Sequence, residues 1–255
     1  MPTTFRMTLA YDGTGFRGWA RQPDPSIRTI EGVVMAQLER VVREPVKLSV
    51  AGRTDAGVHA RAQVCSFVTS SSVPPERLQK ALNGALAPEM VVLDAREAPD
   101  GFDARFSATA REYVYRIHEA AMPDPFTARF VWHWPRHLRL RPMREAARLL
   151  VGEHDFSSFC RHPGRDRSTV RQLRRLTVAR QGDVLSIRSE ANAFLHQMVR
   201  TLVGTLVAVG EGMIEPGAMP EIFAARDRGA AGRPAPARGL TLERVSYAPP
   251  RSAEL

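Results

Sequence analysis

An aspartate bracketed by two glycines, with an arginine just before it and a histidine just after, combines residue types that can do nucleophilic or proton-transfer chemistry. The stretch is Ala51-Gly52-Arg53-Thr54-Asp55-Ala56-Gly57-Val58-His59-Ala60. A carboxylate fixed on a loop can attack an electron-poor carbon, take a proton, or stabilise positive charge as a bond loosens. A nearby guanidinium helps keep it ionised and binds phosphate. Gly52 and Gly57 can adopt backbone angles closed to residues with a Cβ, so the chain can turn sharply on both sides of the acid. The same spacing also suits a plain turn, in which the Asp55 carboxylate accepts hydrogen bonds from neighbouring backbone amides. Spacing alone leaves both readings open.

Strands are expected on either side of this loop. In 46–50, Val46, Leu48 and Val50 alternate with Lys47 and Ser49, and 63–69 reads as a second strand. The gap between them is too long for a tight hairpin, so Asp55 is presented on a loop that rigid strands position and ligand can reach. Upstream, Phe5, Met7, Leu9 and Tyr11 alternate with polar or small residues and give a first strand, which ends in the turn Asp12-Gly13-Thr14-Gly15. Asp-Gly-Thr also occurs in phosphate-transferring dehalogenase-like enzymes, but their nucleophilic aspartate two residues earlier is Ala10 here. The spacing predicts a helix over 29–43, capped by Thr29, with Ile30, Val33, Val34, Leu38, Val41 and Val42 on one stripe. Pro74-Pro75 opens a second helix through Leu82 and Leu86, and 91–98 reads as a fourth strand.

A similar order returns in the second half. We expect a strand at 111–118, a helix at 142–151, strands at 170–179 and 184–189 joined across Gln181-Gly182-Asp183, a long helix at 194–209 and a closing strand at 240–247. The reading is an α+β fold of two ferredoxin-like (βαββαβ) halves with mostly antiparallel sheets, divided as 1–104 and 105–255. Two stretches lack periodicity, 154–169 and 229–238. They carry or adjoin arginines, among them Arg161, Arg165, Arg167, Arg171, Arg174, Arg175, Arg233 and Arg238.

Composition narrows the partners. With 255 residues, 44% hydrophobic and 25% charged, the chain reads as an ordinary soluble protein able to bury a sizeable core. No apolar run approaches the roughly 20 residues of a membrane span, and the N-terminal residues enter a strand pattern without a signal-peptide core, so a cytoplasmic protein is expected. Cys65 and Cys160 lack the paired spacing of a metal knuckle or redox motif, and no metal is expected. The net charge of +9 suits a polyanion, and nearly all the cations are arginine, since the only lysines are Lys47 and Lys80. Arginine forks bond phosphates bidentately and stack on bases, as RNA recognition requires. Arg53 and His59, on the flanks of Asp55, and Arg161, Arg165 and Arg167 are therefore the candidate RNA contacts.

The ten-residue string around Asp55 closely resembles the signature loop of the tRNA pseudouridine synthases of the TruA family, and other segments share the likeness. Residues 11–19 resemble the family's opening segment, with Ala20 where the family usually has glutamine. Phe102-Asp103-Ala104-Arg105-Phe106-Ser107-Ala108-Thr109-Ala110-Arg111-Glu112-Tyr113-Val114-Tyr115 resembles its second motif, and Phe194-Leu195-His196-Gln197-Met198-Val199-Arg200 its third. Gly239-Leu240-Thr241-Leu242-Glu243-Arg244-Val245-Ser246-Tyr247 looks like its closing strand. The resemblance implies the pseudouridine synthase fold, with Asp55 as the catalytic carboxylate, Arg200 as its ion-pair partner and Tyr113 lying against the target base. Tyr115, although strand alternation puts it on the face of Arg111 and Tyr113, is read as packing. The resemblance further implies no cofactor, a homodimer, and tRNA as partner, modified at uridines 38, 39 and 40 of the anticodon arm. A binding-only RNA protein on this fold, or a related isomerase with another RNA substrate, stand as alternatives.

Overall fold

The computed structural model describes residues 2–161 and 168–248. In chain order the elements are β1 (Thr3–Tyr11), α1 (Ile30–Val42), β2 (Ser49–Val50), β3 (His59–Thr69), α2 (Pro75–Leu86), β4 (Met90–Glu97) and β5 (Ala108–Glu119). They continue as β6 (Trp132–Trp134), α3 (Leu140–Leu150), β7 (Gly152–Asp155), β8 (Val170–Gln181), β9 (Val184–Ala191), α4 (Met198–Glu211), α5 (Met219–Ala225) and β10 (Leu240–Tyr247). The architecture is mixed α/β, with ten strands among the described residues in a mostly antiparallel sheet. By internal contacts the chain forms two compact units. The first takes the chain through Ala56, Ala60–Arg111 and the residues from Glu243; the second takes Gly57–His59 and Glu112–Leu242.

In the first unit β1 is the central strand, paired antiparallel with β3 and β4 so that Met7 lies opposite both Cys65 and Ala95. β2 pairs with β3 off the main path of the sheet, along which β3 is followed by β10. The alternation of β1 buries Phe5, Met7, Leu9 and Tyr11, with Leu78 and Leu82 of α2 and Val34 and Leu38 of α1 also in the core. Thr29 caps α1 by accepting from Gly32 N at 3.2 Å, and Arg43 ends it in the left-handed region at φ 61°. Cys65 is fully buried, and burial pushes its thiol up to about 12. Only Ser49 and Val50 join the ladder, against Ser66 and Cys65, although a strand was expected from residue 46. Val46 and Leu48 are nonetheless buried, and Val46 N donates to the Glu39 carboxylate at 3.3 Å. Alternation reported burial there, not pairing.

In the second unit β8 pairs antiparallel with both β7 and β9, and β6 runs parallel to β5. α3 buries Met143, Ala146, Ala147 and Leu150. α4 is buried almost throughout, from Met198 to Gly210, with only Arg200 partly exposed. It begins later than the expected 194 because Gln197 takes a left-handed conformation at φ 62°, which no helix interior tolerates. Two buried carboxylates are paired. Glu119 accepts from Arg180 Nε at 2.6 Å and Nη2 at 3.1 Å and from Leu138 N at 2.7 Å. Glu112 meets Arg188 and Arg175. Unsatisfied, either carboxylate would be costly to bury.

Candidate active site

The Asp55 loop is built by backbone anchoring from its own unit. Ala51 N donates to Val64 O at 2.9 Å, the Gln63 side-chain amide donates to Gly52 O at 2.7 Å, and Trp19 N donates to Thr54 O at 2.9 Å. Tyr11 Oη lies 2.8 Å from Thr54 Oγ1. Arg111, only 8% exposed, donates to Ala51 O through Nε at 3.0 Å and Nη2 at 2.8 Å. Ala51, Gly52 and Thr54 are thus tied by backbone or side chain, while Asp55 is partly exposed and Arg53 is exposed. A carboxylate on such a loop is reachable and loses little conformational freedom when it engages a ligand.

Gly18 completes the anchoring by steric need. Its φ is +90°, and a Cβ there would sit 3.0 Å from Thr54 O, 3.2 Å from Ala56 N and 3.3 Å from the Asp55 carbonyl carbon. Gly18→Ala is therefore expected to cost about 1–2 kcal/mol of backbone strain, a fall of roughly 2–8 °C in Tm, read by thermal denaturation. Gly84, where a Cβ would meet nothing within 4 Å, is the control that should not fall.

The Tyr11 phenol beneath the loop is pushed up to about 12 by burial, against the opposing hydrogen bonds with Thr54 and Gln63. An unfolded tyrosine ionises near 10, so between pH 10 and 12 the unfolded chain binds fewer protons and stability falls as pH rises. The urea midpoint should drop across that window, and Tyr11→Phe should make the drop shallower.

In the second unit, His59 is buried. Its Nε2 lies 2.9 Å from Arg129 O and 3.1 Å from Arg238 O, so the ring donates to main-chain carbonyls, and it packs on Phe130 with centroids 4.8 Å apart. Tyr113 is buried in β5 and meets Phe194 edge-on at 5.2 Å. Tyr115 is wholly packed, donating to Pro236 O at 2.8 Å beside Trp132, as its reading as packing anticipated. Arg200 donates from Nε to Ala235 O at 2.7 Å, and Ala235 N returns a bond to Arg200 O at 2.9 Å. The segment that holds it lies backbone to backbone on α4: a Cβ on Gly204 would fall 1.7 Å from Arg233 O, and one on Gly232 would fall 2.6 Å from Thr205 Cα. Arg161 is exposed, its N–H donating to His196 O at 3.0 Å. Arg165 and Arg167 lie outside the described residues.

Sequence reasoning missed the residues that fix the loop, Gly18, Gln63 and Arg111 among them. Arg111 offered a signal, since strand alternation puts it on the face of Tyr113 and Tyr115. Among the described residues no three His, Cys, Asp or Glu side chains group so as to hold a metal ion. No helix among them is long and apolar enough to cross a membrane.

Comparison with known proteins bears on the chain as a whole. The family model described as tRNA pseudouridine synthase matches residues 7–107 and 146–248. The tRNA pseudouridine synthase A of Moorella thermoacetica is 44% identical over 242 residues, covering 95% of this chain and 98% of that protein. That of Frankia casuarinae is 47% identical over 247 residues, covering 96% and 89%. Among solved structures, the archaeal box H/ACA sRNP Nop10-Cbf5 complex aligns with 94% of this chain and 47% of its own at a TM-score of 0.35 and 12% identity, too slight a likeness to bear on the fold. The Asp55 loop and the Arg200 helix fall inside the matched residues, Tyr113 lies between the two matched segments, and the chain belongs to the tRNA pseudouridine synthase A family of isomerases.

Proposed function

We propose that this protein isomerises uridine to pseudouridine at positions 38, 39 and 40 in the anticodon stem-loop of tRNAs, with Asp55 as the catalytic carboxylate. The observation that carries the reading is identity of 44% across 95% of the chain with a protein whose name states the tRNA reaction. The anchored Asp55 loop supports it, because it holds a partly exposed carboxylate on a fixed backbone.

The isomerisation breaks the N1–C1′ bond of uridine, turns the uracil and joins C5 to C1′; the C5 proton leaves and N1 gains one. Atoms and electrons balance within the nucleotide, so no cofactor is called for. Asp55, ionised, is the group to attack the sugar, take a proton from it or stabilise its positive charge. Enclosing a carboxylate against a nucleotide removes water and works to neutralise it, and Arg200 is assigned as the ion pair that opposes this. With Nε committed to Ala235 O, the terminal nitrogens of Arg200 are the part assigned to the carboxylate. The target base must leave its stack, at a cost of a few kcal/mol, and Tyr113, its ring set by Phe194, is the platform that receives it. Arg53 is assigned to a phosphate or to the vacated stack. Arg161, Arg165 and Arg167 are assigned to phosphates, and His59 to the RNA surface through the segments its ring ties together.

We read the chain as two ferredoxin-like halves, 1–104 and 105–255. The element order β-α-β-β-α-β of the chain through β4 and the pairings β4-β1, β1-β3 and β3-β2 support this. We also read the protein as a cytoplasmic homodimer. The test is site-resolved pseudouridine mapping on unmodified tRNA transcripts, with binding measured in parallel. New pseudouridine at 38, 39 and 40 is expected; binding without any pseudouridine would make the protein an RNA binder and overturn the reading.

A further inference from the structure

Phe106 stands 80% exposed on the turn between β4 and β5. A single exposed phenylalanine is ordinary on a protein surface. This one is presented on an unusually fixed base. The Asp103 carboxylate accepts from Arg105 N at 2.7 Å, Phe106 N at 2.9 Å and Ser49 Oγ at 2.9 Å. Ser107 N donates to Asp103 O at 2.9 Å, Ala104 N donates to Ser66 Oγ at 2.9 Å, and Tyr247 Oη donates to Ala104 O at 2.8 Å. The ring therefore stays in solvent because its backbone cannot fold it away. The Arg105 guanidinium lies over it, 5.2 Å from the centroid. Arg111 Nη2 donates to both Arg105 O at 2.7 Å and Ala51 O at 2.8 Å, so one buried guanidinium joins the turn of Phe106 to the start of the Asp55 loop.

We propose that Phe106, with the Arg105 guanidinium, is a stacking platform for an unpaired base of the RNA substrate, set on the same support as the Asp55 loop. An aromatic face takes any base, and an adjacent arginine takes its phosphate or stacks beside it. A second copy of the chain fits less well, because one ring with a charge across it is far from the roughly 800 Å² per partner of a stable interface. The inference rests on RNA being the substrate.

The experiment compares wild type with Phe106→Ala, Phe106→Leu and Phe106→Trp for tRNA-transcript affinity, single-turnover pseudouridine formation, Tm and mass by light scattering. Phe106→Ala should weaken Kd roughly 5- to 150-fold with Tm unchanged, Phe106→Leu should fall with it, and Phe106→Trp should stay near wild type. Wild-type affinity in Phe106→Ala, or full rescue by leucine, overturns the proposal. A loss of affinity accompanied by a drop from dimer to monomer mass overturns it too, and assigns the ring to a second copy. If wild type binds tRNA and makes no pseudouridine, the catalytic reading fails while the Kd series still decides the role of Phe106.

Discussion

Asp55→Asn is expected to lower single-turnover pseudouridine formation by at least about a thousandfold while tRNA binding stays within a few-fold of wild type. The carboxamide matches the carboxylate in size but carries no charge. It can neither attack C1′ nor take a proton, and it offers nothing to a developing cation. The loop should survive, because its anchors run through Ala51, Gly52 and Thr54. Removing a negative charge from a surface that meets phosphates cannot weaken binding electrostatically, so affinity should hold or tighten. The measurement is a single-turnover time course on a transcript with one target uridine, beside a binding isotherm. A variant keeping more than about a tenth of the wild-type rate would remove Asp55 from the chemistry.

Gly204→Ala should be the most damaging one-carbon change in the second unit. Within a free helix it would help, since alanine is about 1 kcal/mol better than glycine in a helix interior. Here the added carbon would stand 1.7 Å from Arg233 O, a backbone atom that cannot rotate aside. Either α4 or the 232–236 segment must move, and overpacking of this kind costs about 1–3 kcal/mol, which outweighs the propensity gain. The same segment supplies Ala235 O to Arg200 and Pro236 O to Tyr115, so its movement also releases the guanidinium. The expected result is a Tm lower by several degrees together with a larger fall in single-turnover rate than Leu206→Ala gives, even when both are assayed fully folded. Leu206→Ala opens a cavity at a fully buried side chain of α4 and serves as the comparison. A Tm within a degree of wild type would show that the contact yields.

α1 was legible because one face of it is buried beneath its Thr29 cap, and β10 spans the expected 240–247. β6 was not legible, because Trp132, His133 and Trp134 are all half-buried and leave no alternation to read. β7 and α5 are short pieces without a strong period. The Asp55 loop showed itself through its glycines and its neighbours in sequence. What holds it did not, since the Arg111 bond to Ala51 spans 60 residues and no local pattern pairs the two. The surroundings of His59 were hidden for the same reason, its carbonyl partners lying 70 and 179 residues away.

Tyr247 donates to Ala104 O across 143 residues of sequence, with the Phe102 ring 5.1 Å from its own and the Arg6 guanidinium 4.5 Å above it. During synthesis the surface formed by Arg6 and Phe102 therefore stays open until Tyr247 has been made, 143 residues after Ala104. Such a high contact order makes folding slow, and the exposed Arg6 and Phe102 surface is where a chaperone would find its longest-lived target.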